Sequence, residues 1–187
     1  NVFDVKNGNK IIARVQKISP TQTVTTKGEF PHFMLKEIYE QPQVIENILS
    51  NFTERITNFA KLLKRFPKTY MVGCGSAYYA ALISSYIFSK IAKTELTPII
   101  GSEFVYKEPF LSKKTLVVFL SQSGETMDII SPQKRVKAKG IPTTCLVNVF
   151  GSSLYRNCDF KIWLEAGPEI CVLSTKAFTA KIAVLGL

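Results

Sequence analysis

Apolar positions change their period along the chain. From Asn1 to Val15 two short apolar runs, V-F-D-V and I-I-A-R-V, flank Lys6-Asn7-Gly8-Asn9-Lys10. Asn-Gly between such runs predicts a β-hairpin, which cannot be stable alone. The polar stretch Ser19 to Gly28 reads as a linker. From Pro31 the period is helical: Met34, Ile38, Ile45, Ile48 and Leu49 recur at three- and four-residue steps, and Pro42 either breaks this run or starts a new helix at its first position. Phe52, Ile56, Phe59, Leu63 and Phe66 form a second stripe, closed by Phe66-Pro67.

Beyond Pro67 strand and helix patterns alternate. Strands are predicted at Thr69–Val72, Leu96–Ile100, Thr115–Leu120, Thr143–Val147 and Phe160–Leu164. The run Leu116–Leu120 is unbroken, so its strand should be buried on both faces. Helices are predicted over Tyr78–Ala92, apolar nearly all round and hence buried, from Glu125 to the Lys139-Gly140 stop with Pro142 beyond, and over Ala177–Leu187. Such alternation means an α/β fold: a three-layer sandwich with a five-stranded parallel sheet, preceded by a short hairpin and a helical segment. Ligands of these folds bind at the carboxyl ends of the strands.

Candidate chemistry lies at those ends. Ser121-Gln122-Ser123-Gly124 stops the central strand, and Glu125-Thr126-Met127-Asp128 opens the next helix with acidic residues in its first turn. A strand-turn-helix of this kind can cradle a phosphate between hydroxyls and helix-start N–H groups, although serines there also serve as ordinary caps. Gly73 to Ala77 and Val172 to Lys176 are two further turns, and together the three point to a polyanion or sugar-phosphate site. The first of these lacks the G-x-G-x-x-G spacing of dinucleotide-binding folds.

Composition narrows the partners. A length of 187 residues with 46% hydrophobic content accommodates one full core and an appendage, and no apolar run reaches the roughly 18 residues of a membrane span. The chain begins at Asn1, without a signal peptide, and reads as a piece of something longer. A net charge of +10 raises nucleic acid or an acidic metabolite as partner. The charge is spread over Lys61 to Lys68, Lys113-Lys114 and Lys134 to Lys139 without interleaved aromatics, which reads as solvated faces rather than a nucleic-acid surface. Cys74, Cys145, Cys158 and Cys171 form no C-x-x-C pair and His32 is the lone histidine, so no metal cluster is expected and reduced thiols in a cytoplasmic protein are. No cofactor is expected.

Six motifs occur in the order K-E-I-Y-E-Q-P (Lys36 to Pro42), C-G-S-A-Y-Y-A (Cys74 to Ala80), S-E-F-V-Y (Ser102 to Tyr106), L-S-Q-S-G-E-T (Leu120 to Thr126), V-N-V-F-G-S-S (Val147 to Ser153) and S-T-K-A-F-T (Ser174 to Thr179). In order and spacing they resemble the glutamine–fructose-6-phosphate aminotransferases. The resemblance implies that residues 29–187 are the first sugar isomerase (SIS) domain of such an enzyme. Residues 1–28 would then be the end of a glutaminase-like domain plus linker. It implies a reaction making glucosamine 6-phosphate from fructose 6-phosphate and glutamine, and a homodimer without nucleic-acid or membrane partners. It places the sugar phosphate on Ser121, Gln122, Ser123 and Thr126, with Ser76, the backbone N–H of Ala77, and Ser174 contributing.

No catalytic residue carries over, because the family's nucleophilic cysteine, base and Schiff-base lysine belong to parts this sequence does not contain; the fragment alone is expected to be inactive. Lys176 is taken as a helix-start lysine. The sequence departs from the family at Cys171 and Leu173, where smaller residues are usual, at Pro132 inside a predicted helix, and at Phe150 in place of proline. The alternative from another class is a regulatory sugar-phosphate sensor, which would carry a helical DNA reader where Asn1 to Val15 reads as a hairpin.

Overall fold

Strand β5 (Thr115–Ser121) is buried along its whole length. The computed structural model, which describes residues 2–12 and 26–187, shows why. Side chains alternate across a strand, so Leu116, Val118 and Leu120 enter one core while Val117 and Phe119 enter another. The first core is closed by α2 (Gln41–Asn51), α3 (Thr53–Leu63), α4 (Ser76–Ile87) and α7 (Lys176–Gly186). The second is closed by a 3-10 helix over Gly101–Phe110, by α5 (Met127–Ala138) and by α6 (Ser153–Asn157). With β3 (Lys68–Gly73), β4 (Thr97–Ile100), β6 (Thr143–Val147) and β7 (Phe160–Trp163), the sheet has five strands in the order β4-β3-β5-β6-β7. Every neighbouring pair is parallel. This is the expected three-layer α/β sandwich.

The hairpin pairs β1 (Val2–Phe3) with β2 (Lys10–Ile11) antiparallel, with only two residues in each strand. Residues 13–15 of the predicted second strand, and most of the predicted linker, lie outside the described residues. The helical segment splits into α1 (Phe33–Tyr39) and α2, with Pro42 in the first turn of α2, the start that its fixed φ favours.

Several expectations are corrected. Of the stripe Met34, Ile38, Ile45, Ile48 and Leu49, Ile48 is buried beside Val44 of α2, whereas Met34, Ile38 and Leu49 are exposed. Apolarity all round α4 does not bury it: Ala77, Ala80 and Ala81 meet the sheet side, whereas Tyr79, Ile83 and Tyr86 face outward. The helix there ends at Ile87 and continues to Ala92 as a π-helical turn. Pro132 lies within α5, buried, and the helix runs on to Ala138 despite it. Phe150 packs, with tilted rings, at centroid distances of 4.8 Å from Tyr155 and 5.1 Å from Trp163, so the proline's replacement has its own packing.

Asp159 ties the starts of β6 and β7 together. Its carboxylate accepts from the Thr143 N–H at 2.9 Å and the Thr143 hydroxyl at 2.7 Å. Burial pushes its pKa up, but the Thr143 bonds and nearby Lys137 outweigh that and hold it below the ordinary aspartate value. Stability from this contact is therefore present above that ordinary value and lost as pH falls through the lowered one. Asp159→Asn is expected to cost about 1 kcal/mol at neutral pH after solvent screening. In urea titrations at descending pH the gap to the wild-type chain should close; a gap independent of pH would contradict this.

Candidate functional site

The turn after β3 and the turn after β5 are neighbours because those strands are paired, and both open at the carboxyl edge of the sheet. Between them and the segment leading into α7 lies a cavity of about 640 Å³. Ser76, Ala77, Ser121, Gln122, Ser123, Thr126 and Ser174 all line it, so the structure brings together every predicted binding residue.

The turn after β5 is built by its own hydroxyls. Ser121 Oγ accepts the Gly124 N–H at 2.9 Å and lies 3.3 Å from Thr126 Oγ1, and Ser123 Oγ accepts the Glu125 N–H at 3.2 Å. The helix then starts at Met127, two residues later than the acidic run suggested. Thr126 keeps an extended backbone (φ −64°, ψ 121°), and Glu125 is drawn away to accept the Ser153 N–H at 2.6 Å. That bond holds the Glu125 carboxyl below its usual range. Ser123 is thus not a helix cap: Thr126 occupies the N-cap position, and no side chain bonds the first turn of α5.

The V-N-V-F-G-S-S segment braces this turn from behind. The Asn148 N–H donates to the Gln122 carbonyl at 3.1 Å, and the Leu154 N–H donates to the Gly124 carbonyl at 3.0 Å. The S-E-F-V-Y segment supports it differently, with Phe104 of the 3-10 helix packing edge-on against Tyr70 and Phe119.

Ser76 sits in the first turn of α4, which starts after Gly75 without a side-chain cap. Ala77 lines the cavity, but its N–H already donates to the Cys74 carbonyl at 3.1 Å. Ser174 donates its hydroxyl to Glu169 at 3.1 Å, so in this conformation it offers a ligand only lone pairs. Val172 and Leu173 form an exposed rim beside it. Cys171 is not part of the lining. Its thiol bonds the Leu173 carbonyl, and burial and Glu37 push its pKa up to about 11.

K-E-I-Y-E-Q-P acquires a physical role as the buttress of the α7 entry. Buried Glu37 accepts the Ile170 and Cys171 N–H groups at 2.6 and 3.2 Å. Glu40 pairs with Lys176 at 2.5 Å and Lys36 at 3.3 Å, and Gln41 meets Thr179. Lys176 begins α7, as read from the sequence, and is a buried ion-pair member outside the lining of this cavity.

One lining residue went unnoticed in the sequence. Lys181, in the second turn of α7, is wholly buried and lines the cavity. A single lysine inside A-F-T-A-K-I-A-V-L was the available signal. Among the described residues, no group of three or more His, Cys, Asp or Glu could hold a metal ion, and no helix is long and apolar enough to cross a membrane. The four cysteines are free thiols.

Comparison with known proteins agrees with this fold. The SIS domain family matches residues 62–187. A glutamine–fructose-6-phosphate aminotransferase (isomerizing) from Fusobacterium nucleatum is 39% identical over 100% of this chain, and one from Bacillus subtilis is 41% identical over 86% of it. The chain spans 32% and 28% of the length of those relatives. Among solved structures, the C-terminal domain of glucosamine-fructose-6-phosphate aminotransferase from Francisella tularensis superposes with a TM-score of 0.77 at 33% identity, covering 86% of this chain and 48% of that one.

Proposed function

The chain belongs to the SIS-domain family, and from that premise we propose that it is the sugar-phosphate-binding part of a glutamine–fructose-6-phosphate aminotransferase. Its ligand is fructose 6-phosphate or a related sugar phosphate. On this reading residues 29–187 form the first SIS domain and residues 1–28 close a glutaminase-like domain and its linker. The observation that carries it is the convergence of Ser76, Ser121, Gln122, Ser123, Thr126 and Ser174 on one cavity at the ends of two paired strands. Hydroxyls, a side-chain amide and the uncapped starts of α4 and α5 make a donor-rich pocket that suits a phosphate ester.

The described residues that line the cavity include no carboxylate or imidazole, the commonest proton-transfer groups. The chain's part in the reaction is therefore binding and orientation, and turnover belongs to the complete aminotransferase. The 187-residue chain is assigned no glucosamine 6-phosphate formation of its own.

Ser123→Ala tests the phosphate role. Its hydroxyl is bonded only within the turn, so removal should cost little stability but about tenfold or more in sugar-phosphate affinity, one charge-assisted hydrogen bond. Ser131→Ala is the control, since Ser131 lies a turn further along α5 and bonds Arg135. Melting temperatures with and without fructose 6-phosphate decide it. Ser123→Ala should lose most of the ligand-induced shift and Ser131→Ala should keep it; an undiminished shift in Ser123→Ala refutes the role.

A further inference from the structure

Lys181 has an unusual position for a lysine: no exposed surface, and one hydrogen bond, from its ammonium to the Ala177 carbonyl of its own helix at 3.1 Å. An ammonium has three donors, so this bond leaves two. No ion-pair partner is found for it among the described residues. Glu169 is the anion that acts on it, but that carboxylate is engaged by the Ser174 hydroxyl and by the Thr175 and Ala177 N–H groups. Lys181 is also the one charged side chain among the described residues that line the cavity. Burying an uncompensated cation is costly, and an anion in the cavity would offset that cost.

We propose that Lys181 is a further ligand-binding residue of this site, whose ammonium supplies the counter-charge to a phosphate dianion and which takes up a proton when the ligand binds at alkaline pH. The inference rests on the sugar-phosphate reading above and adds to it the group that selects for charge. In the empty cavity burial lowers the lysine's pKa to about 8, against a small opposing effect of Glu169. A phosphate monoester is a dianion well below that pH, since its second pKa is roughly 6. Above pH 8 the empty site is mostly neutral, and a dianion binds best by drawing a proton back onto Lys181.

The titratable groups on the elements packed against α7 are Glu46 of α2 and Tyr78, Tyr79 and Tyr86 of α4. On the segment before α7, Glu165 is paired with Arg55 and Glu169 is engaged as described. The thiols of Cys74, in the wall, and Cys171 are both pushed up, by burial first. Glu40 and Lys176 neutralise each other on the far side.

Calorimetric titration of fructose 6-phosphate into the 187-residue chain at pH 7, 8 and 9, in buffers of different ionisation enthalpy, reads the effect directly. Binding should be about tenfold weaker at pH 9 than at pH 7, with net proton uptake above pH 8. Lys181→Gln and Lys181→Met should bind at least about tenfold more weakly at pH 7, with no proton uptake attributable to the site. Both should melt no lower than the wild-type chain when empty, because a buried charge has been removed. A structural lysine would behave oppositely, and variants with lowered melting temperature but unchanged affinity would overturn the proposal. So would a wild-type chain that binds without proton uptake, a result needing no variant. Absence of binding by the wild-type chain at every pH would overturn the sugar-phosphate reading and this inference with it.

Discussion

Gly124→Ala is expected to cost about 2 to 4 kcal/mol of stability and to abolish sugar-phosphate binding. Gly124 has φ +67°, where an L side chain is strained. An added Cβ would also lie 2.1 Å from Ser152 Oγ and 2.6 Å from Ser152 Cβ. Rotating the hydroxyl relieves the first clash but not the second, because a Cβ moves only with its backbone. Ser152 is buried and caps α6, and the Gly124 carbonyl bonds the Leu154 N–H just beyond, so turn and brace would be forced apart together. Gly151→Ala provides the comparison, since its φ is +71° but nothing lies within 4 Å of an added Cβ. It should lose only the conformational term, about 1 kcal/mol. Denaturant titration of both, with ligand-induced melting shifts, separates the effects. Equal losses would show that close packing against Ser152 contributes nothing.

The same brace would let this turn take the proposed phosphate with little rearrangement. Bonds from Asn148 and Leu154 hold the carbonyls of Gln122 and Gly124, and the Ser121 hydroxyl fixes the Gly124 N–H. Ordering costs that would otherwise oppose binding are met when the chain folds.

Much of this was readable from the pattern of residues, for physical reasons. An apolar run such as Leu116–Leu120 has few places to go but the middle of a parallel sheet, and Ser-Gln-Ser-Gly after it had to emerge at the carboxyl edge. Of three serine-bearing turns distant in sequence, two meet because β3 and β5 are paired, and the third is brought to them by α7 packing on α4. What escaped depends on contacts across the chain. Glu125 looked like a helix-start residue until the Ser153 N–H, on the brace, took it. Glu37 and Glu40 belonged to a motif whose spacing suggested no partner, yet they hold the entry to α7 through Ile170, Cys171 and Lys176. Local pattern cannot foretell such partners. Tyr79, Ile83 and Tyr86 misled in the opposite sense, since an apolar face need not be covered by the same chain segment. Lys181 was missed because a lysine in an apolar helix is ordinarily assigned to its solvent edge, and only the packing of α7 on α4 and α2 places it inside.

Calorimetric titration of the 187-residue chain with fructose 6-phosphate and with fructose tests the central claim that the cavity is a phosphate cradle. On the proposed reading the hydroxyls of Ser76, Ser123 and Thr126, the starts of α4 and α5 and the Lys181 ammonium share an anion as their target. Two or three charge-assisted bonds, each worth roughly 1.5 to 3 kcal/mol, would be lost with the phosphate. At pH 7 the account predicts fructose 6-phosphate to bind at least about 100-fold more tightly than fructose, with inorganic phosphate competing. Equal affinity for the two sugars, or no competition by phosphate, would contradict it.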